Sequence, residues 1–346
     1  MGVYVPAWLA VFGVAFGLAL ILTPVAIRLG RRWGITDAPR GRHQHRRVMV
    51  KFGGFTLWIA FTGAALFAQI LPVERADPNE VIRLAGLLIG GTVAFALGVL
   101  DDKRELGPIA LYIGQIVAAA VAVLFLIFIE YFNNPLTGER TPEWPHWFTV
   151  TISLFWLGLM MNTVNFIDGA DGLAAGVACI ASLVIFVNSV FRVEDPQISF
   201  SLLPLALAGA TAGFLVFNFH PARIFLGGGA FLLGFQVGAL SIMGGAKAAT
   251  TLFVMGLPLL DLGWQVVNRL RQGRNPLHGD RGHLHFRLVD IGLSQRVIVL
   301  GYYAFCAFFG VLTLITASSF FKLAAILVMG GLVAVGFLLV ARRQSR

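Results

Sequence analysis

Residues 148–191 read FTVTISLFWLGLMMNTVNFIDGADGLAAGVACIASLVIFVNSVF. Two uncharged apolar stretches, 148–166 and 173–191, flank a polar block only a few residues long. Each stretch is close to the roughly 20 residues a helix needs to cross a bilayer. A helix on the surface of a soluble protein would carry a polar face along its length, and neither stretch has one. The segment reads as two membrane spans joined by a tight polar turn.

The rest of the chain repeats the pattern. Of 346 residues, 58 % are hydrophobic and 12 % charged, about half the charged share of roughly 25 % in globular domains. That balance excludes a disordered chain, a collagen-like chain, a disulfide-built secreted scaffold and an ordinary soluble enzyme. Eleven apolar runs qualify as spans: 5–27, 54–72, 84–100, 109–129, 148–166, 173–191, 199–217, 226–243, 247–267, 297–316 and 321–341. The run 226–243 is short and rich in glycine. The first run lacks a basic leader and a small-residue cleavage site, so no removable signal is expected. Cys179 and Cys306 lie inside apolar runs, without disulfide or metal spacing. The sequence predicts an all-α, polytopic integral membrane protein, one transmembrane domain over 1–346.

The net charge is +9. A nucleic-acid partner is one source of such a charge, but its distribution points elsewhere. Of the 26 Lys and Arg, 20 fall in the loops 28–53, 101–108, 165–172, 218–225 and 268–296 and in the tail from 342. Lys and Arg accumulate on the cytoplasmic side. The prediction is an outside N-terminus, a cytoplasmic C-terminus and no nucleic-acid partner.

The same loops carry the candidate chemistry. Asp101 and Asp102 follow directly on an apolar run, and adjacent carboxylates repel unless a cation lies between them. A Mg²⁺ ion, which takes oxygen ligands and bridges to phosphates, suits such a pair; a helix cap balanced by Lys103 and Arg104 accounts for it equally. The block Asn162-Thr-Val-Asn165-Phe-Ile-Asp168-Gly-Ala-Asp171-Gly places Asn165, Asp168 and Asp171 three residues apart, on one side of a helical path. One cap explains one Asp, but not two with two Asn at a bilayer edge. A third segment carries Arg269, Arg271 and Arg274, then Asp280-Arg281-Gly-His283-Leu-His285. Arginine forks bind phosphate, and the histidines suit phosphate or uridine better than a metal; a loop that is merely positive is the alternative. The basic stretch Arg40–Arg47, containing His45, precedes Lys51-Phe-Gly53-Gly54 and would also suit anionic lipid. Carboxylates for a metal and arginines for phosphates on one face read as phosphoryl transfer at a membrane surface.

At these residues the chain resembles the polyprenyl-phosphate N-acetylhexosamine-1-phosphate transferases, which start bacterial cell-wall and surface-polysaccharide lipid intermediates. The likeness runs through Asp37-x-Pro39, His45, Gly53-Gly54, Asp101-Asp102, the Asn162–Gly172 block, Asn218-Phe-His-Pro221-Ala-Arg-Ile-Phe225, Pro258-Leu-Leu-Asp261 and Asp280-Arg-Gly-His283-Leu-His285. The His-x-His segment with Gly292-Leu-Ser294 resembles the UDP-GlcNAc branch rather than the UDP-MurNAc-pentapeptide branch. The resemblance implies a site on the cytoplasmic face of a bacterial inner membrane, polyprenyl phosphate and UDP-N-acetylhexosamine as substrates, Mg²⁺ as cofactor, and a homodimer as one assembly. It places Asn165 and Asp102 on the metal and Asp101 on the lipid phosphate. Asp168 and Asp171 hold the nucleotide or the metal's water shell. His283, His285 and Arg271 contact the diphosphate and sugar, with Arg269, His45 and Asn162 completing substrate binding. The chain departs from the family where Phe225-Leu-Gly227-Gly228-Gly229 is one residue short of Phe-x-Gly-Asp-x-Gly; the missing residue is an Asp that binds magnesium in the family. Leu111 stands where a Lys is common, and Phe286 where a third His is usual. An inactive relative that binds lipid or nucleotide, and a transporter of lipid-linked sugar, are the other classes in view.

Overall fold

The computed structural model describes residues 2–37, 48–131, 134, 139–142, 144–193, 195–244, 248–274, 282–316 and 318–344. His45 and the Asp280-Arg281 pair lie outside them. Thirteen helices make up the described fold: α1 (Val5–Arg32), α2 (Gly53–Gln69), α3 (Glu80–Arg104), α4 (Pro108–Leu124), α5 (His146–Ile167), α6 (Leu173–Phe191), α7 (Ile198–Asn218), α8 (Gly229–Met243), α9 (Ala248–Val254), α10 (Gly256–Arg271), α11 (Leu284–Asp290), α12 (Gln295–Ile315) and α13 (Ser319–Gln344). Two-residue strands β1 (Thr36–Asp37) and β2 (Met49–Val50) pair antiparallel between α1 and α2.

Seven helices, α1, α3, α5, α6, α7, α12 and α13, are long and apolar enough to cross a membrane alone, while α2, α4 and α8 are shorter apolar helices. The run 247–267 is not one helix. It breaks into α9 and α10, bent by 78°. Pro258 accounts for the break, because it has no N–H to donate to the carbonyl of Val254. Large apolar side chains cover the outside: Ile109, Ile113 and Ile116 on α4, Leu300 and Phe308 on α12, and Leu327 and Leu338 on α13 are all exposed. Water does not tolerate an apolar surface of that extent; a bilayer does. This is a multi-pass membrane protein.

Inside the bundle, hydroxyls turn back onto their own helices. Thr23, Ser153, Thr163, Ser182, Ser189 and Thr211 each donate to the carbonyl four residues earlier, which satisfies them where no water reaches. The short α8 is buried along nearly its whole length, so its length need not match a lipid layer. Its glycines let α5 approach closely, as small residues do in membrane interfaces.

Contacts at helix ends fix the direction of the chain. The N–H groups of Gly53 and Gly54 at the start of α2 donate to Phe225 and Leu226 before α8, both at 3.0 Å. Gly98 in the last turns of α3 lies directly on Gly228. Tyr303 of α12 donates its hydroxyl to Gly172 at the start of α6, at 2.6 Å. Odd- and even-numbered helices from α1 to α8 thus alternate, and the polar blocks of the sequence gather at one end.

Candidate active site

Asp101 and Asp102, in the last turn of α3, have separate tasks. Asp101 Oδ1 accepts the Leu106 N–H at 2.9 Å, closing the turn by which the chain leaves α3 through Glu105, at φ 48. Asp102 faces the bundle, and its Oδ2 accepts the Gly228 N–H at 2.6 Å. That contact demands the glycine loop. Gly227 has φ +59, and a side chain on Gly228 would overlap the backbone of Gly98, so only glycine lets this amide reach the carboxylate.

Asp168 caps the C-terminal end of α5 and is half-buried. It has no hydrogen bond from any described residue. Burial, and then the neighbouring carboxylates of Asp102 and Asp171, push its carboxyl well above the usual range, with Lys51 acting in the opposite direction. Lys51 follows β2, which delivers it to this spot: its N–H donates to Ile35 at 3.0 Å, and its ammonium lies 3.5 Å from Asp37. Its charge also acts on Asp101 and Asp102. Asp168 thus lies within electrostatic reach of Asp102, Asp171 and Lys51.

The other members of the block differ in how far they are engaged. Asp171 Oδ2 is held by the His220 ring at 2.8 Å and by the Ala222 N–H at 3.1 Å, which ties it to the loop between α7 and α8. Asn162 forms a reciprocal amide pair with Gln115 of α4, at 2.6 and 3.3 Å, and donates to Gly158. Asn165 is half-buried and has no hydrogen bond from a described residue.

The basic and histidine segment packs onto the same block. His283 stacks on Phe166 with centroids 5.1 Å apart, and on His285 at 5.9 Å. His285 rests against Gly169, and burial lowers its pKa to about 4, against a smaller upward pull from Asp261. It is therefore neutral at pH 7. Arg269 is buried and Arg271 exposed, on opposite faces of α10.

The donor types present are those a hard cation takes. Asp102 and Asp168 offer carboxylate oxygens that repel one another, and Asn165 adds an amide oxygen, although among the described residues no three Asp, Glu, His or Cys side chains form a group that could hold a metal ion.

The family model of glycosyl transferase family 4 matches residues 84–245, a stretch that contains Asp101, Asp102 and the whole Asn162–Gly172 block. The decaprenyl-phosphate N-acetylglucosaminephosphotransferase of Mycolicibacterium smegmatis is 34 % identical over 295 residues, covering 79 % of this chain and 73 % of that protein. The chain belongs to glycosyl transferase family 4. The probable undecaprenyl-phosphate N-acetylglucosaminyl 1-phosphate transferase of Bacillus subtilis is 29 % identical over 315 residues, 89 % of this chain and 84 % of that protein. The phospho-N-acetylmuramoyl-pentapeptide-transferase of Desulforamulus reducens is 30 % identical over 345 residues, 92 % of this chain and 97 % of that protein.

Within this family 4 chain, the structure draws attention to residues to which the sequence reading gave no role. Lys51 and Gly228 complete the acidic cluster, His220 holds Asp171, and Asp261 holds His283. A signal was present for two of them. Asp261 is a carboxylate inside an apolar run, which is costly unless used, and Lys51 adjoins the paired glycines Gly53-Gly54.

Proposed function

We propose that this protein transfers N-acetylglucosamine 1-phosphate from UDP-N-acetylglucosamine to a polyprenyl phosphate and releases UMP. The observation that carries this reading is Asp168, without a hydrogen bond from a described residue and acted on by Asp102, Asp171 and Lys51, at the end of the bundle where the basic residues gather. An oxygen of the lipid phosphate attacks the sugar-bearing β-phosphorus; a new P–O–P bridge forms, and the bond from that phosphorus to the oxygen of UMP breaks. A phosphate monoester has its second pKa near about 6, so the nucleophile is largely ionised at neutral pH. The larger task is to bring two anions together in line.

The residues divide that task. Asp102, Asp168 and Asn165 would hold Mg²⁺. When bound, the ion neutralises phosphate charge and orients the diphosphate. Gly228 keeps Asp102 aimed into the site. Lys51 supplies a fixed positive charge at the cluster, and Asp101 orients the lipid phosphate from the edge of α3. Asp171, braced by His220, faces the nucleotide, and His283 and His285 line the sugar side. Arg269 and Arg271 supply positive charge along α10, and His45 and Asn162 complete the substrate set.

The charge distribution supports eleven crossings, with α2, α4, α8 and the bent α9–α10 pair included, an outside N-terminus and a site on the cytoplasmic side of a bacterial inner membrane. A cysteine replacing Gln272 is then shielded from an impermeant thiol reagent in intact cells, and one replacing Ala76 is labelled. For the activity, purified protein is given Mg²⁺, polyprenyl phosphate and radiolabelled sugar nucleotide. Label from UDP-N-acetylglucosamine moves into the lipid phase. Transfer from UDP-MurNAc-pentapeptide instead would replace the proposed substrate with the other branch's, and transfer from neither would overturn the reading.

A further inference from the structure

Asp261 of α10 is fully buried, and each of its oxygens has a different partner. Oδ1 accepts the Leu284 N–H at 3.1 Å, and Oδ2 lies 3.1 Å from His283 Nδ1. One carboxylate thus fixes both the first amide of α11 and the ring that precedes it. An ionised carboxylate only accepts hydrogen bonds, so the proton of this contact is on Nδ1. The opposite nitrogen, Nε2, is buried and has no hydrogen-bond partner among the described residues. An unmet buried polar atom is costly, and this one belongs to a ring stacked on Phe166, next to Asn165.

We propose that Asp261 is a positioning residue that holds His283 as the neutral Nδ1–H tautomer, so that Nε2 accepts a hydrogen bond from a hydroxyl or amide N–H of the sugar moiety of the bound nucleotide. This rests on the transferase reading above and assigns His283 a narrower part in it. A neutral ring with a bare Nε2 repels phosphate oxygens, which are acceptors too, and selects for a donor. Gln265 and Arg287 donate to the Gly282 carbonyl, so the backbone leading into His283 is held as firmly as its ring.

The test is ¹⁵N NMR of full-length protein labelled in its histidine rings, with the His283 signals assigned by loss in His283→Gln. The native spectrum shows a protonated Nδ1 and a bare Nε2. In Asp261→Asn, whose amide N–H₂ donates to Nδ1, the proton moves to Nε2. UDP-N-acetylglucosamine shifts the Nε2 resonance, and UDP alone leaves it in place. Turnover follows the same logic. Asp261→Asn lowers kcat/KM by at least about tenfold, yet causes no further loss in a His283→Ala background. A bare Nδ1 in the native protein, an unmoved proton in Asp261→Asn, or additive losses in the double variant would each overturn the positioning role. An equal shift with UDP would overturn the sugar assignment. The tautomer measurement needs no turnover, so it decides the role of Asp261 even if the protein transfers no sugar phosphate.

Discussion

The two ends of the bundle treat charge in opposite ways. At the end where α2 stops and α3 starts, cations and carboxylates match: Arg75 pairs with Glu80, and Arg83 with Asp77 at 2.8 Å, while Arg83 also donates to the Leu126 carbonyl at 3.2 Å. At the other end Asp102, Asp168 and Asp171 crowd together, and Asp168 has no hydrogen bond from a described residue. Paired charges are what stability alone produces. A carboxylate crowded by two others and given no hydrogen bond from a described residue is maintained against stability, and function is the reason to maintain it.

The largest expected effect follows from neutralising Asp168. Asp168→Asn keeps the volume and removes the charge, and should lower turnover by at least about tenfold, or roughly 1.4 kcal/mol. The same change should stabilise the fold. The raised carboxyl pKa means that native stability falls as pH rises through that value, so the gain in melting temperature should be largest at pH 8 and shrink on acidification. Lower stability of the variant at pH 8 would contradict the account.

His285 has the opposite sign. Its pKa is lowered to about 4, so its contribution is complete above about 6.5 and is lost as pH falls towards 4. The loss is on the order of 3 kcal/mol. His285→Gln should flatten the acid limb of the melting curve; an unchanged limb would place the acid sensitivity elsewhere.

Gly228→Ala should cost about 1–3 kcal/mol through overlap with Gly98, and should depress turnover several-fold as Asp102 loses its amide. Thermal melting and UMP release on one preparation separate the two effects. The smallest effect belongs to the paired end. Arg83→Ala should change stability by no more than about 1 kcal/mol and leave turnover within about twofold. A large loss of turnover there would erase the distinction between the two ends.

Much of this was legible in the sequence. Length and the absence of charge identified the apolar runs, and the block Asn162–Gly172 pointed to the site because polar residues at a bilayer edge need a reason. The break between α9 and α10 was missed because hydropathy is blind to a lost N–H; Pro258 was the available sign. The short α11 was hidden in a loop read for its charges. Pairing was not legible either. Nothing in the order of residues says that Asn162 is engaged by Gln115, that Asp101 closes a turn while its neighbour Asp102 reaches a glycine 126 positions away, or that Arg269 rather than Arg271 is buried. In sequence, the shortened glycine loop shows only the deficit of one carboxylate. Its geometry also provides an amide for Asp102, so an Asp inserted between Gly227 and Gly228 should break that contact and lower turnover.

The carboxylates crowded around Asp168 perform the chemistry, and those ion-paired to arginine at the opposite end do not. UMP release should be measured side by side for the native protein, Asp168→Asn and Asp77→Asn, with UDP-N-acetylglucosamine, polyprenyl phosphate and Mg²⁺. The account predicts release by the native protein that depends on both substrates, near-native release by Asp77→Asn, and a loss of at least about tenfold in Asp168→Asn. Equal rates in the two variants, or release that does not require the lipid phosphate, would contradict it.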